Sequence, residues 1–327
     1  MKKGGKNEFA VNGKKIVAIG GGTGVFTVLT GLKSCFKNLT AIVTMADDGG
    51  STGVLREEFG ILPPGDIRRI LVALSPADKA LLSELFNYRF QEGTGLAGHT
   101  FGNLMITALE RITGSFEKAV HEAGKILSVQ GRVLPVTLTP PTLLAQLDDG
   151  RIIRGETNIS DFRSASLAGE IKKAWLEPRV SLNPKAQKAI LEAQCVILSP
   201  GDLYTSLVPN LIVDGMKETL KKTKATVIYF INITAKYGET AGFKASDFLK
   251  TVERYIGTGA IDYVIINKTR PSTARFRAYI EQKAEFVEPD LENFDSKPTP
   301  IVTDLLRTSG LIRHDPEKIA KVVKMLI

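Results

Sequence analysis

Apolar positions run almost without interruption over Lys14–Ile19, the pattern of a strand buried on both faces. Five small residues follow, Gly20-Gly21-Gly22-Thr23-Gly24, and then Val25, Phe26, Val28, Leu29 and Leu32 fall at helical spacing. Leu39–Met45 is a second apolar run rich in β-branched residues. Strand, glycine turn, helix, strand is a βαβ unit, which requires a parallel pair and a right-handed crossover. Helical periodicity continues over Asp66–Leu74, Asp78–Phe90, Phe101–Ile112 and Phe116–Leu127. The third of these presents apolar positions 101, 104, 105, 108, 109 and 112 on one face, with Thr100 placed to cap it. Arg132–Leu138 reads as extended. Leu143–Leu147 and Arg151–Glu156 flank Asp148-Asp149-Gly150, a hairpin turn signal, so residues 131 to 182 are expected to leave the main sheet as a small antiparallel excursion.

Alternation then resumes. Gln194–Leu198, Ala225–Ile231 and Ile261–Ile266 are apolar strands, with helical patterns at Pro184–Ala193, Asn210–Lys222 and Ser246–Tyr255. Asp315-Pro316-Glu317 opens a last helix, aspartate capping and proline in the first turn. The expected fold is α/β, a doubly wound, mostly parallel, Rossmann-like three-layer sheet. One domain spans 14–327 behind a flexible tail at 1–13.

Composition changes this picture little. With 43% hydrophobic and 24% charged residues the chain is of ordinary globular type, and its 327 residues suffice for one large core or two modest ones. The formal charge of +8 raises the question of nucleic acid. Its basic residues are spread thinly, however, and outside Lys2, Lys3 and Lys6 the densest run is Lys221, Lys222, Lys224, the solvated end of a helix. No nucleic-acid module and no basic stripe interleaved with aromatics is present, so no nucleic-acid partner is expected; the excess suits an anionic ligand. Cys35 and Cys195, both in apolar surroundings, read as buried free thiols of a reducing compartment. There is no apolar signal region at the start and no run near the roughly 20 residues that span a bilayer. A cytoplasmic protein without a membrane span is expected.

Five constellations can carry chemistry. Gly20–Gly24 stands between a strand and a helix start, where unpaired amides and the helix dipole receive a phosphate and glycine lets the backbone approach it. The spacing is neither the dinucleotide G-x-G-x-x-G nor a Walker loop, and a tight turn without a ligand is the plain alternative. Asp47-Asp48-Gly49-Gly50-Ser51 ends the second strand as a loop suited to a divalent cation or to amide contacts with phosphate, or else as an acidic turn. In Pro63-Pro64-Gly65-Asp66-Ile67-Arg68-Arg69, Asp66 can serve as a helix cap and Arg68 or Arg69 can fork a phosphate. Gly95–Asn103 feeds a helix through His99, one of only three histidines. Pro200-Gly201-Asp202-Leu203-Tyr204-Thr205-Ser206 follows a resumed core strand, the place for a topological switch point, with Asn232 and Asn267-Lys268 ending two further strands on the same rim.

Taken in order, G-G-G-T-G, I-V-T-M-A-D-D-G-G-S-T-G, P-P-G-D-I-R, A-G-H-T-F-G-N, S-P-G-D-L-Y-T-S-L-V-P-N-L and I-D-Y-V-I-I-N resemble the bacterial gluconeogenesis factor family (YvcK/CofD-like). Each is weak alone; six in this order are specific, and the resemblance runs from residue 14 to the end. The superfamily's archaeal relatives are 2-phospho-lactate transferases, which move a phospholactyl group from a guanosine diphosphate donor to a deazaflavin precursor with Mg2+ at the phosphates. The bacterial branch binds UDP-sugars such as UDP-N-acetylglucosamine and supports growth and cell shape on gluconeogenic carbon sources. L-Y-T-S-L-V-P-N-L and Arg154-Gly155-Glu156 are closer to that branch.

By this resemblance Gly20, Gly21, Gly22, Thr23 and Gly24, with Asp48, Gly49, Gly50 and Ser51, would face the phosphates of a UDP-sugar or another nucleoside diphosphate. Asp66, His99 and Asn103 would line the cleft, joined by Arg68, and Gly201, Asp202, Tyr204, Thr205 and Asn232 would border the nucleotide. Tyr279 would stack on the base and Arg313 would hold the diphosphate. Asp47, Asp48, Asp66 and His99 are the candidate catalytic groups, and Asp47 and Asp48 the candidate ligands of Mg2+, the one cofactor implied. A homo-oligomer is the expected assembly. The chain departs from the family in Asn232–Thr240, where Lys236 replaces the usual amide side chain of N-x-M-T-Q-x-G-E-T. Asp202 stands where serine is frequent, and 267–277 is more basic than usual. These departures bear on the ligand's sugar. An NAD-dependent oxidoreductase fits the fold class and lacks the glycine spacing.

Overall fold

A computed structural model describes residues 13–161 and 169–327, so residues 1–12, which include Lys2, Lys3 and Lys6, lie outside the described part. The βαβ unit forms as its hydrophobic pattern predicts. Strand β1 (Lys15–Gly20), helix α1 (Gly22–Leu32) and strand β2 (Asn38–Val43) follow one another, and β1 pairs with β2 in parallel. Helices α2 (Gly50–Phe59), α3 (Pro64–Leu74), α4 (Ala80–Asn87), α5 (Phe101–Thr113) and α6 (Phe116–Ile126) come next. Thr100 caps α5 by accepting from the Asn103 amide. Two readings change here. Gly50 and Ser51 are not loop but the first turn of α2. The inward face of α5 is Gly102, Asn103, Ile106 and Thr107, while Ile112 of the expected apolar stripe is 80% exposed. Hydrogen bonds from α2 and α3 to Asn103 satisfy its amide inside, so a polar residue takes the buried position.

Strand β3 (Arg132–Pro135) joins the main sheet, parallel to β2, and does not open the antiparallel excursion. That excursion is β4 (Thr142–Leu147), β5 (Ile152–Arg154) and β6 (Ile171–Glu177), in the order β5-β4-β6, with α7 (Glu156–Asp161) after its hairpin. The main chain of the sheet continues through α8 (Pro184–Leu191), β7 (Cys195–Leu198), a π-turn over Leu203–Leu207, α9 (Val208–Leu211) and α10 (Met216–Lys222). The single helix expected over 210–222 is broken at Gly215, whose φ of 97° belongs to the left-handed region. The rest is β8 (Thr226–Phe230), β9 (Thr234–Ala235), α11 (Ala245–Ile256), β10 (Tyr263–Asn267), α12 (Thr273–Glu281), β11 (Glu285–Phe286), β12 (Thr299–Thr303) and α13 (Pro316–Leu326). Asp315 caps α13 as its sequence predicts.

The seven-stranded parallel sheet has the order β12-β10-β8-β7-β1-β2-β3 and is flanked by helices. From β1 the chain builds outward through β2 and β3, then returns to the other side of β1 and builds outward again from β7. The order therefore reverses between β1 and β7, and a crevice opens beyond their carboxyl ends. Gly24 lets α1 sit close to that crevice, because a Cβ there would lie 1.5 Å from the carbonyl oxygen of Pro200. Cys195 is buried in β7, with burial pushing its thiol up to about 12; Cys35 is only half-buried, against expectation, because it follows the end of α1. Among the described residues no helix is long and apolar enough to cross a membrane.

Candidate functional site

The first corner is occupied differently from expectation. The amide of Gly22, at the first turn of α1, donates to Asp66 Oδ2 at 2.8 Å. Asp66 is not a cap of its own helix; α3 delivers its carboxylate to the N-terminus of α1, where the dipole favours an anion. Thr23 and Gly24, the next two residues of that turn, line a cavity of about 350 Å3 between the ends of β1, β7 and β8. Gly201, Lys236, Tyr279 and Arg313 face the same space. The Tyr279 ring lies parallel to Phe276 at 6.2 Å, and its hydroxyl accepts from the Ile312 amide at 3.0 Å, so its position is held from two sides. Arg313 is exposed and makes no ion pair among the described residues. Its neighbour His314 bonds through Nε2 to the Ile231 carbonyl, and burial pushes it down to about 4, keeping it neutral.

Several expected ligand contacts turn out to shape the wall instead. Asn232 accepts the Gly201 amide at 3.1 Å and donates to the Gly201 carbonyl at 2.7 Å, which clamps the loop after β7. Tyr204 is buried, its hydroxyl on the Ile171 carbonyl at 3.1 Å and its amide on Glu239 at 2.8 Å. Thr205 donates to the other oxygen of Glu239 at 2.8 Å. Arg68, expected to fork a phosphate, is buried against Asn103 and Asn87. Asn103 in turn donates to Ser51 Oγ at 3.1 Å, and that hydroxyl is hydrogen-bonded to His99 Nδ1 at 3.0 Å. Ser51, Arg68, His99 and Asn103 thus form one chain of hydrogen bonds between α2, α3 and α5. Each is buried, and each was legible only as a polar residue near a helix start.

The acids separate into two roles. Asp48 accepts from the Glu156 amide at 2.9 Å, the Thr157 amide at 2.9 Å and the Thr157 hydroxyl at 2.8 Å. It caps α7, 108 positions further along the chain, with both carboxylate oxygens engaged. Asp47 accepts the Gly49 amide at 3.0 Å and stands beside Asp66. Burial raises Asp47; burial and the charge of Asp47 push Asp66 up to about 6. Glu156, at the start of α7, is pushed up to about 8 by burial and then by Asp47 and Glu239. Sequence reasoning had placed Glu156 only within the Arg154-Gly155-Glu156 segment; its position after a hairpin, at a helix start, was the available signal. Asp47, Asp66 and Glu156 therefore share a space of negative potential. Among the described residues, no three His, Cys, Asp or Glu side chains converge closely enough to hold a metal ion.

A parallel sheet with its crevice at the switch point, an aromatic-walled cavity and an acid cluster across one helix N-terminus defines the class of fold. The profile of the 2-phospho-L-lactate transferase CofD family matches residues 16–306, and the chain belongs to that family. It is similar to proteins described as gluconeogenesis factor. That of Bacillus subtilis is 39% identical, over 96% of this chain and 98% of its own; that of Listeria innocua is 39% identical, over 96% and 95%. A crystal structure of a Bacillus halodurans protein superposes with a TM-score of 0.90 at 37% identity, covering 95% of this chain and 99% of that one.

Proposed function

We propose that the protein binds a nucleoside diphosphate-linked sugar, with UDP-N-acetylglucosamine as the first ligand to test, and acts as a cytoplasmic regulator of growth and cell shape on gluconeogenic carbon sources. The observation that carries this reading is the cavity shared by Thr23, Gly24, Tyr279 and Arg313, which has room for a base and ribose beside a helix N-terminus. Magnitudes require such a cavity. Two or three amide–phosphate bonds contribute roughly 1.5–3 kcal/mol each, against about 4–15 kcal/mol for lost rigid-body freedom, so the loop alone gives no useful affinity. With the base at Tyr279 and the diphosphate at Thr23 and Gly24, the sugar extends toward Asp47, Asp66 and Glu156, whose oxygens accept from its hydroxyls. Isothermal titration with UDP-N-acetylglucosamine, UDP and GDP tests this; heat is expected with the uridine ligands, and none with any UDP-sugar removes the reading.

A second reading, transfer of a phosphorus-linked group from a nucleoside diphosphate donor, is favoured by Asp66 near 6 and Glu156 near 8, values from which a carboxyl exchanges protons at neutral pH. Incubation with a guanosine-diphospho-lactate donor, Mg2+ and a deazaflavin acceptor is expected to release product under this reading, and complete inertness counts against it.

A further inference from the structure

Lys236 and Asp202 meet at the cavity wall. The Lys236 ammonium donates to Asp202 Oδ2 at 2.7 Å, to the Ser160 hydroxyl of α7 and, at 3.5 Å, to Glu239 Oε1. Glu239, its side chain 1% exposed, also accepts from the Tyr204 amide and the Thr205 hydroxyl, and the Lys236 ammonium is its neighbouring cation. Lys236 and Asp202 are different, their side chains 36% and 44% exposed. Water screens a pair this open, so exchanging one partner for another costs little. Both side chains line the cavity that also holds Thr23, Gly24 and Arg313. An anion seated at the α1 N-terminus therefore competes with Asp202 for the same ammonium, and a lysine on a flexible four-carbon stem can follow it.

We propose that Lys236 is the residue that counts the phosphates of the bound ligand, and that Asp202 holds it in reserve and lowers the cleft's affinity for anions. This rests on the nucleotide reading of the cleft and adds which residue sets the preference for a diphosphate over a nucleoside. The two side chains act with opposite signs. Asp202→Ser takes away one of the ammonium's three partners and a repelling carboxylate, so UDP binds more tightly, by about threefold. Lys236→Gln loses a charge-assisted phosphate contact, so UDP binds about tenfold more weakly. Lys236→Arg keeps the charge and most of the affinity. Uridine, which has no phosphate, binds all four proteins alike.

Calorimetric titration of wild type and the three variants with uridine, UMP and UDP decides the matter, with thermal melts run alongside to confirm folding. If Lys236→Gln does not fold, the sign of the Asp202→Ser effect carries the decision. The opposed shifts for UDP with constant uridine affinity are the expected result. A wild type that binds UDP while Asp202→Ser weakens it, or while both variants weaken uridine equally, overturns the proposal and leaves the nucleotide reading standing. A wild type that binds no uridine nucleotide overturns both.

Discussion

The two sides of the cleft carry opposite electrostatics across one helix N-terminus. On the acid side Asp47, Asp66 and Glu156 make no ion pair among the described residues; burial raises all three, and the charge of Asp47 adds to it at Asp66 and Glu156. On the cavity side Lys236 is paired to Asp202 and to Glu239, and Arg313 makes no ion pair among the described residues. Carboxylates raised by desolvation lower stability when they ionise, and such groups cluster at functional sites. The difference teaches how a ligand of mixed character is oriented: phosphate toward the cations and amides, hydroxyl-bearing or cationic groups toward the acids.

The corner between the two sides offers the strongest way to break this comparison. Gly24→Ala drives a Cβ into the Pro200–Gly201 backbone, so about 3 kcal/mol or more of stability is expected to be lost in urea unfolding. Gly22→Ala meets nothing closer than 3.9 Å but must hold a φ of 53°, and about 1–2 kcal/mol is expected. A valine at Gly22 would lose the fold's stability as well as filling the corner. Equal effects at the two glycines would show that the approach of α1 to the Pro200 loop is looser than described.

Next in size, Asp48→Ala removes three hydrogen bonds from the start of α7, and a loss of about 2 kcal/mol is expected with faster amide exchange over 155–161. Asp47→Ala is expected to leave that exchange unchanged. A smaller effect concerns pH. Asp66 and Glu156 bind protons more tightly in the folded chain than in the unfolded one. Their penalty is therefore absent below the ordinary carboxylate range near pH 4, grows as pH rises through about 6 for Asp66 and about 8 for Glu156, and is complete above that. Asp66→Asn keeps an acceptor for the Gly22 amide, so denaturation at a series of pH values is expected to show a flatter profile between about pH 4 and 6 and roughly 1–2 kcal/mol gained at pH 7. A loss there would mean that the ionised carboxylate stabilises α1 more than burial opposes it. The least effect on stability, under about 0.5 kcal/mol, is expected for the exposed Arg313→Ala, whose consequence is instead a roughly tenfold weaker binding of UDP by titration.

Elements with a continuous or periodic apolar pattern were legible in advance. The β1–α1–β2 unit, α3, α6 and α11 all show one, because burial of a face leaves a repeat of 2 or 3.6 in the chain. Others were not. No residue of helix α12 is fully buried, and only Phe276 and Tyr279 pack on a small apolar cluster, so its face is too short to read from the pattern. Strand β12 lies at the sheet edge, contains Pro300 and follows Lys297-Pro298, which reads as loop. Helix α2 is entered through Gly49 and Gly50, a pair that reads as loop. Among the residues named from sequence, Thr23, Gly24, Gly201, Asp202, Asn232, Tyr279 and Arg313 line one cavity, whereas Ser51, Arg68, His99 and Asn103 form a hydrogen-bonded chain between α2, α3 and α5 and Asp48 caps α7.

By itself the sequence determined the parallel α/β architecture, the glycine corner and, through six ordered motifs, the family. These follow from properties carried within a few residues: backbone freedom at glycine, apolar repeat, and turn chemistry. Which carboxylate meets which amide was decided only by the tertiary structure. Asp66 reaches Gly22 across 44 positions and Asp48 reaches Glu156 across 108, because the sheet order brings their elements to one edge. A hydrogen bond and a pKa depend on separation in space and on the surrounding dielectric, and neither quantity is written in the local order of residues.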